Sequence, residues 1–428
     1  MGTVNGPTLP TVVGHIAYWA NTTGTQVSDA PAWFNVITFN VVANKSDATT
    51  AANNVTNIQN AIAAAAAVTG GVVYFPAGVY WISSTLTVSS SQNGVTFRGD
   101  GPTASTIMAN FATGDVLDMA GFGATVLDLN FEYNTGSART SGYYLSMSGA
   151  NSYARNLSFS GAIGGISLTG NQQTVADIAM GLFAPNAIGI FVNSGGAPIR
   201  LTNVTMNGST TTPTAGIQVV NSSDLNITDC EIDSMGTALL INPGSGQSVS
   251  NLRALHTYFD GGPSGSHHVS GVVTNPTGTG SVVNLLFTGC WASGQTGSGF
   301  TIENSGTGSI SGIEIIGCQA LGNGAAGIAI GGGSNISSVK ISGGILSGNT
   351  YGIYVNPGVT DFIIEGVRIG NYSDGPNSIG IVVANGPCDR YIITNNLMHG
   401  NSSTAISDAG TGTNKFVGGT SGAGANLQ

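Results

Sequence analysis

Acidic and aromatic residues gather in a few short segments of a chain that otherwise carries little charge. Four acids, one histidine and two aromatic residues recur there at alternating positions: Asp229, Glu231, Asp233, His256, Tyr258, Asp260 and Trp291. The 428 residues include only 20 acids, so four of them here form a concentration. Paired carboxylates can act as general acid and base in glycosidic-bond hydrolysis. Flat aromatic rings can support a sugar ring.

These residues share one surface if the chain stacks as a coil of strands. We align six five-residue segments on successive turns: 177–181, 203–207, 229–233, 256–260, 289–293 and 317–321. The second and fourth residues of each segment are mostly apolar or small, so side-chain alternation points them inward. One internal column then contains Cys230, Thr257, Cys290 and Cys318, and the acids and aromatic residues face outward.

Sheet geometry fixes the expected spacing of the carboxylates. Residues i and i+2 on a strand are about 6.7 Å apart, and neighbouring strands about 4.8 Å. Glu231 and Asp260 would therefore lie on a diagonal of about 8 Å, within the roughly 6.5–9.5 Å of inverting glycosidases. We predict Glu231, Asp233 and Asp260 as catalytic residues, with Asp229, His256, Tyr258 and Trp291 binding the substrate. A solvated acidic face, or a bound cation, is the alternative interpretation.

A second patch lies earlier in the chain, where Asp128, Asn130 and Glu132 occupy the same columns and Arg139 and Arg155 are near. An arginine beside carboxylates would suit a lyase, which must orient a uronate and take its proton. The neighbouring residues His267 and His268 fall in the longest insert between turns. Such inserts of repeat proteins cluster on the binding face.

An internal repeat predicts the fold. A small residue followed by an apolar one recurs every 22 to 33 residues: Gly165-Ile166, Gly189-Ile190, Gly216-Ile217, Ala238-Leu239, Gly271-Val272, Gly299-Phe300, Gly327-Ile328, Gly352-Ile353, Gly380-Ile381 and Ala405-Ile406. A unit of this length cannot bury its own apolar side and must stack on its copies. We predict an all-β, single-stranded, right-handed parallel β-helix of about 11 or 12 turns. Four Gly-Asn corners should stack their outward side chains as a ladder of Asn323, Asn349, Asn371 and Asn401.

The segment before the repeats predicts one helix. In residues 55–68, Val55, Ile58 and Ile62 fall on one face of a 3.6-residue period. A short helix here would cap the open end of the coil, where a bare strand edge invites aggregation.

The run IQNAIAAAAAVTGGVVYFPAGVYWISSTLTV, followed by VTFRGDGPTASTI, resembles the start of the pectate-lyase-like right-handed parallel β-helix superfamily, which includes phage tailspikes. The upstream Phe34-Asn35-Val36 resembles its first strand, and the likeness is specific over residues 34–107. Family members often carry several acids before the helix, whereas this chain has only Asp47 there. The segment VVGHIAYWANTTGTQVSDAP is similar to short modules of phage tail fibres. The resemblance implies three stretches: a stem or linker over 1–33, a cap and first turns over 34–120, and the main coil over 121–428.

Composition narrows the partners. A net charge of −10 argues against nucleic acid and favours a neutral or weakly charged glycan. No stretch has the roughly 18 apolar residues of a membrane span, and no signal peptide is visible after Met1. The protein is then either cytosolic or leaves the cell without the Sec pathway, for example on a phage particle. The resemblance to phage tailspikes favours a place outside the cell or on a virion, and it implies a homotrimer that buries Ser/Thr/Ala-rich flanks. The four cysteines have no CxxC spacing, which predicts free thiols, no metal and no cofactor.

Together these features favour a tailspike-like depolymerase that hydrolyses a bacterial surface polysaccharide. Two alternatives stay open. One is a polysaccharide lyase that uses His256 or Tyr258 as its base. The other is a β-helix that binds carbohydrate, or has a structural role, without catalysis.

Overall fold

The structure, a computed structural model, describes most of the chain. The described residues are 32–68, 70–134, 139–161, 164–181, 186–196, 198–208, 213–261, 269–419 and 425–427. The stem predicted over residues 1–33 lies almost entirely outside them, and so do His267 and His268. The division of the chain at residues 34 and 121 stays a prediction.

The described strands pair in parallel, each with its copy on the next turn, and form three faces that we call A, B and C. Face A contains Trp33–Asn35, Val72–Phe75, Thr96–Gly99, Leu225–Thr228, Ser248–Leu255, Ser281–Thr288, Ile310–Ile316, Ile336–Ser342, Val359–Glu365, Asp389–Thr394 and Lys415–Val417. Face B contains Gly78–Ile82, Ser105–Ala109, Glu231–Asp233, Tyr258–Asp260, Trp291–Ser293, Gln319–Leu321, Ile345–Ser347, Arg368–Gly370 and Leu397–His399. Four strands bend from face A into face B: Thr125–Tyr133, Tyr153–Ser160, Gln173–Gly181 and Ile199–Asn207.

Face C contains Leu86–Val88, Leu117–Met119, Leu145–Met147, Gly164–Leu168, Ile188–Ser194, Ala215–Ser222, Thr237–Ile241, Ser270–Thr274, Phe300–Ile302, Ala326–Ile330, Tyr351–Val355, Ile379–Gly386 and Thr404–Gly410. The predicted parallel β-helix, with about 12 turns and one helix near its start, is confirmed.

The core is a set of stacked columns inside the coil. Side chains at equivalent positions on successive turns contact each other. Phe131 stacks on Phe159 with 5.3 Å between ring centroids, and Phe362 stacks on Tyr391 with 4.6 Å. Full burial of one large apolar side chain contributes about 1.5–3 kcal/mol. Because the columns run the length of the coil, this burial recurs at every turn.

The corner between faces A and B requires a left-handed backbone. Seven residues in one column there have φ between 47° and 61°: Asp128, Asn156, Asp177, Asn203, Asp229, His256 and Gly289. Asp, Asn and Gly tolerate this conformation best. The polar residues of this column are therefore explained in part by the backbone conformation of the corner, whatever surface chemistry they also perform.

The N-terminal helix closes the coil. It spans Ala48–Ala67, seven residues longer at its start than predicted, because Asp47 caps it by accepting a 2.9 Å hydrogen bond from the Thr50 amide. Hydrogen bonds from Thr50 hold the pKa of Asp47 well below its usual range. Ile58 and Ile62 are fully buried against the first turns, as the predicted helical face requires. A 3₁₀ turn, Val36–Phe39, precedes the helix.

An asparagine ladder runs through the corner between faces B and C, and it differs from the predicted one. Asn323 donates to Asn349 Oδ1 at 2.9 Å, Asn349 to Asn377 Oδ1 at 3.1 Å, and Asn377 to Asn401 Oδ1 at 3.3 Å. Each side chain also donates to a strand carbonyl, as Asn349 does to Ala320. Asn323, Asn349 and Asn377 are buried and Asn401 is half-buried, whereas we predicted outward side chains.

Asn371 is the wrong member of the predicted ladder. It is exposed, and Asn377 takes its place because the turn carries a longer corner, Asn371 to Ser378, between its strands on faces B and C. The Gly-Asn motif alone does not measure the length of this corner. Only the asparagine two or three residues before the face C strand enters the ladder.

The predicted internal cysteine column is confirmed. Cys230, Thr257, Cys290 and Cys318 are buried at equivalent positions on consecutive turns. These three cysteines and the buried Cys388, elsewhere in the coil, are free thiols. The Cys290 thiol interacts with Cys318. Burial raises the pKa of Cys230 to about 11, and the hydrogen bond with the Cys290 thiol, together with burial, raises the pKa of Cys318.

We expect the four thiols to be unreactive in the folded protein, because the thiolate is the reactive form and these groups are buried. A thiol-specific reagent at pH 8 should modify none of them in native protein and all four in denaturant. Intact mass without reductant should match the fully reduced chain. A mass lower by two hydrogens would show a disulfide and contradict the prediction.

No helix among the described residues is long and apolar enough to cross a membrane.

Candidate functional site

The predicted register of face B is confirmed across the site. Glu231 pairs with Tyr258, Tyr258 with Trp291, and Asp233 with Asp260. The intervening residues Ile232 and Phe259 are fully buried, so their neighbours along the strands face outward. All seven predicted site residues therefore lie on one outer surface over three consecutive turns.

Three carboxylates form an acidic cluster, which we define as Glu231, Asp233 and Asp260. Asp233 and Asp260 stand on adjacent strands, about 4.8 Å apart at the backbone, and Glu231 lies diagonally from Asp260 at about 8 Å. The Ser293 hydroxyl donates to Asp260 Oδ1 at 3.0 Å, and Ser234 donates to Asp233 Oδ1 at 2.9 Å. Sequence reasoning did not single out either serine.

Glu231 differs from the two aspartates. Its side chain is exposed, and among the described residues it makes no hydrogen bond or ion pair. It is therefore free to meet a ligand from solvent. Asp260, which accepts from Ser293, has a fixed orientation.

Two aromatic rings lie beside the acidic cluster, and we call Tyr258 and Trp291 the aromatic platform. Their ring centroids are 6.2 Å apart with planes tilted by 32°. Tyr258 is 52% exposed. A partly exposed apolar surface next to carboxylates suits a sugar ring, which has apolar faces and a polar rim.

Asp229 and His256 have a backbone role that the sequence did not reveal. Both lie in the left-handed corner column, with φ of 53° and 47°. His256 Nδ1 is 3.8 Å from Asp229 Oδ1, and both side chains are largely exposed. They border the acidic cluster, but their residue types are also explained by the corner.

Face B continues past the platform toward the C-terminus. Trp291 pairs with Gln319, Gln319 with Ile345, and Ile345 with Arg368. The guanidinium of Arg368 lies 5.1 Å from the ring centroid of Tyr372. Neither residue was singled out from the sequence, because Tyr372 reaches this position from the corner after the Arg368 strand.

Most charged groups of the rival acidic patch are already paired. Arg98 Nε lies 3.3 Å from Asp128, and Asn156 donates to the same carboxylate at 2.7 Å. Arg139 is buried, donates to backbone carbonyls and packs on aromatic rings. Arg155 is paired with Asp177 at 2.7 Å. Hydrogen bonds from Asn203 and Arg155 lower the pKa of Asp177.

Its remaining polar groups are partly paired. Asn130 donates to Glu132 at 2.7 Å, while the buried Asn130 Oδ1 has no partner among the described residues. An open cavity of about 350 Å³ lies beside this patch, lined in part by Trp33, Tyr74 and Asp128. Its charged groups are already paired, so the cluster around Glu231 is the stronger candidate.

The comparisons with known proteins agree with this architecture. Residues 33–125 match the sequence profile of a family described as rhamnogalacturonase A/epimerase, pectate lyase-like. No curated protein sequence matches the chain. The predicted resemblance to pectate-lyase-like β-helices and phage tailspikes is confirmed at the level of fold.

Three solved structures illustrate the likeness. The tailspike protein of E. coli bacteriophage HK620, in complex with a pentasaccharide, is 11% identical, with a TM-score of 0.61 over 94% of this chain and 84% of that one. The A-module of a mannuronan C-5 epimerase from Azotobacter vinelandii is 14% identical, with a TM-score of 0.53 over 90% and 98%. The catalytic unit of a GH87 α-1,3-glucanase from Streptomyces thermodiastaticus is 14% identical, with a TM-score of 0.50 over 91% and 70%. At such identities the likeness concerns the fold.

Proposed function

We propose that this protein is a polysaccharide depolymerase whose active site is the acidic cluster on face B. The observation that carries the proposal is the meeting of three outward carboxylates and two aromatic rings on three consecutive turns. Structural neighbours named for a bound pentasaccharide, an α-1,3-glucanase and a mannuronan epimerase support a polysaccharide as the ligand.

The proposed reaction is hydrolysis by a carboxylate pair. Glu231 donates a proton to the glycosidic oxygen as the bond from that oxygen to the anomeric carbon breaks. Asp260 removes a proton from the attacking water, whose oxygen bonds to the same carbon. The diagonal of about 8 Å leaves room for that water, as in inverting glycosidases. Asp233 stands next to Asp260 and helps to orient the water.

We assign the base role to Asp260 because the Ser293 hydroxyl donates to it and so holds the carboxylate in one orientation toward the water. Glu231 makes no such bond among the described residues, and its exposed side chain can turn toward the glycosidic oxygen. Tyr258 and Trp291 hold the sugar, with Asp229 and His256 at the edge of the site.

A lyase at the same position is less well supported. Such an enzyme needs a cation beside the uronate whose proton is removed, and His256 is the only basic side chain beside the cluster among the described residues. The nearest arginine on the outer surface of face B, Arg368, stands four turns beyond Asp260.

The test is the product formed from a panel of bacterial capsular and O-antigen polysaccharides. Hydrolysis should release reducing ends without ultraviolet absorbance. An unsaturated, absorbing product would show a lyase. Binding with neither product would show a non-catalytic lectin-like β-helix and exclude the proposed reaction.

The site of action that fits this proposal is outside the cell or on a virion, where such polysaccharides occur. The proposed assembly is a parallel homotrimer packed through face C. Ten successive strands of this face, from Leu145–Met147 to Ile379–Gly386, contain no charged residue. A chain with a net charge of −10 repels its copies elsewhere, so a charge-free face is the one that a copy can approach.

Face C is large enough to contact both neighbours of a trimer. Ten strands span about 43 Å, and a width of about five residues spans about 17 Å, which gives roughly 700 Å² per copy. Each copy divides this area between two neighbours, so each pairwise contact is smaller than the about 800 Å² per partner of a standard interface. Its central outward column is partly apolar, with Phe191, Leu240, Val273, Tyr354 and Val382 half-buried.

We expect light scattering to give three times the chain mass of 42.9 kDa. Val273→Glu should dissociate the assembly, because it places like charges together around the three-fold axis. Leu286→Glu, at a half-buried outward position of face A, is the matched control and should leave the mass unchanged. A monomeric wild-type protein at micromolar concentration would rule the assembly out.

A further inference from the structure

We propose that Arg368, held by Tyr372, binds an anionic substituent of the polysaccharide, a carboxylate or a phosphate on a sugar three turns beyond the aromatic platform. This rests on the proposed function and extends it to the substrate class. The sequence composition favoured a neutral or weakly charged glycan, whereas face B carries a local positive site that the net charge conceals.

The first argument is the use of the cations. The chain has ten lysines and arginines. Among the described residues, seven of them form ion pairs with carboxylates: Lys45, Arg98, Arg155, Arg253, Lys340, Arg390 and Lys415. Arg139 is buried among carbonyls and aromatic rings. Only Arg200 and Arg368 have no carboxylate partner in that part of the chain.

The second argument is position. Arg200 lies on face A, in register with Thr174 and Asn226. Arg368 lies in the same outward column of face B as Glu231, Tyr258 and Trp291. Three turns separate Arg368 from Trp291, which is about 14 Å. A glycan laid along the coil axis from the acidic cluster over the platform therefore reaches the guanidinium.

The third argument is preorganisation. The corner after the Arg368 strand folds back over face B: Ser347 Oγ donates to the Gly375 carbonyl at 2.8 Å and accepts from the Tyr372 amide at 3.1 Å. The Tyr372 hydroxyl donates to the Leu397 carbonyl at 3.3 Å. The tyrosine ring is thus fixed against the guanidinium and orients it without neutralising its charge.

Asp374, the acidic residue on this corner, does not neutralise the positive charge of Arg368. Asp374 lies over Gly348, where its Cβ is 2.8 Å from the position that a Gly348 side chain would occupy. It forms no ion pair with Arg368 within the described residues. A planar guanidinium with its donors open matches the two oxygens of a carboxylate or phosphate.

Charge also gives the bound chain a direction. The carboxylates of the acidic cluster repel an anionic sugar, while Arg368 attracts it about 19 Å away, four turns from Asp260. The anionic substituent is therefore expected several sugar units from the bond that is cut, always in the direction of the C-terminal end of the coil.

The test uses the side-chain Nε–H signals of the seven arginines in ¹⁵N-arginine-labelled full-length protein. The probes are sodium glucuronate, glucose 6-phosphate and glucose at constant ionic strength, and Arg368→Gln assigns the signal. We expect a saturable shift of the Arg368 signal with glucuronate or glucose 6-phosphate, and the stronger of the two identifies the substituent. No shift up to the solubility limit, an equal shift with glucose, or an equal shift of the Arg200 signal would overturn the inference.

A kinetic arm follows once a cleaved polysaccharide is known. Arg368→Gln should raise KM by roughly 10- to 100-fold, the usual cost of losing a hydrogen bond to a charged group, with little change in kcat. Arg200→Gln should change neither. Chemical reduction of carboxyl groups, or enzymatic removal of phosphate, should weaken wild-type binding by the same factor and abolish the difference between wild type and Arg368→Gln.

The two proposals can fail separately. Cleavage that is indifferent to Arg368→Gln and to loss of the anionic group keeps the depolymerase and removes this subsite. If no polysaccharide is cleaved, the depolymerase proposal fails, and the arginine signals still decide whether Arg368 binds a sugar anion.

Discussion

Glu231→Gln and Asp260→Asn are each expected to reduce depolymerase activity by about 100- to 10,000-fold, the usual cost of removing a positioned general acid or base. Both side chains lie outside the core, so circular dichroism and the unfolding midpoint should stay at wild-type values. The measurement is the rate of reducing-end release at saturating substrate. Glu314→Gln, which neutralises an exposed acid on face A, is the matched control and should keep full activity.

The platform should respond differently from the acidic cluster. Trp291→Ala removes a surface on which the sugar rests but no proton-transfer group, so we expect KM to rise by roughly 10-fold or more with a smaller change in kcat.

Wild-type rates for the double variant Glu231→Gln with Asp260→Asn would disprove the active site proposed at the acidic cluster. The patch around Asp128 and Glu132 would then be the next to test.

Asn349→Ala is expected to produce the largest loss of stability, about 3–4 kcal/mol of unfolding free energy. The substitution removes the acceptor of the Asn323 amide and side chain, and the donor to the Ala320 carbonyl and to Asn377. Each buried polar group left without a partner costs about 1–3 kcal/mol. Guanidinium-induced unfolding, followed by circular dichroism, measures the change.

Asn371→Ala provides the control for the ladder. Asn371 has the same Gly-Asn context in the sequence but is exposed, so its replacement should change the unfolding free energy by less than about 0.5 kcal/mol. Equal destabilisation by the two substitutions would mean that Asn371 belongs to the ladder and that the register of this turn is different.

The register of the site followed from the sequence because it is encoded locally. Side chains of a strand alternate between its two faces, so a slip of one residue would expose Ile232 and Phe259 and bury Glu231 and Asp260. Only one register avoids the free-energy cost of exposing these apolar side chains and burying these carboxylates. The same alternation predicted the internal column of Cys230 and its equivalents, and the repeat spacing predicted the coil.

Other features depend on contacts between turns that alternation does not specify. The length of the corner after Arg368 decides that Asn377, and not Asn371, enters the ladder. The same corner brings Tyr372 against Arg368. The sequence shows ten cations, but ion pairing across turns decides which of them are neutralised.

Among the acidic residues, too, some properties follow from the sequence and others from contacts between turns. The sequence by itself determined that Glu231, Asp233 and Asp260 face outward on adjacent turns. The tertiary structure decided that Asp128 is paired with Arg98. It also decided that Asp229 and His256 occupy a corner with a left-handed backbone, which favours certain residue types whether or not a ligand binds there. Alternation is a property of each strand alone, whereas a charge pair or a corner conformation exists only once neighbouring turns have stacked.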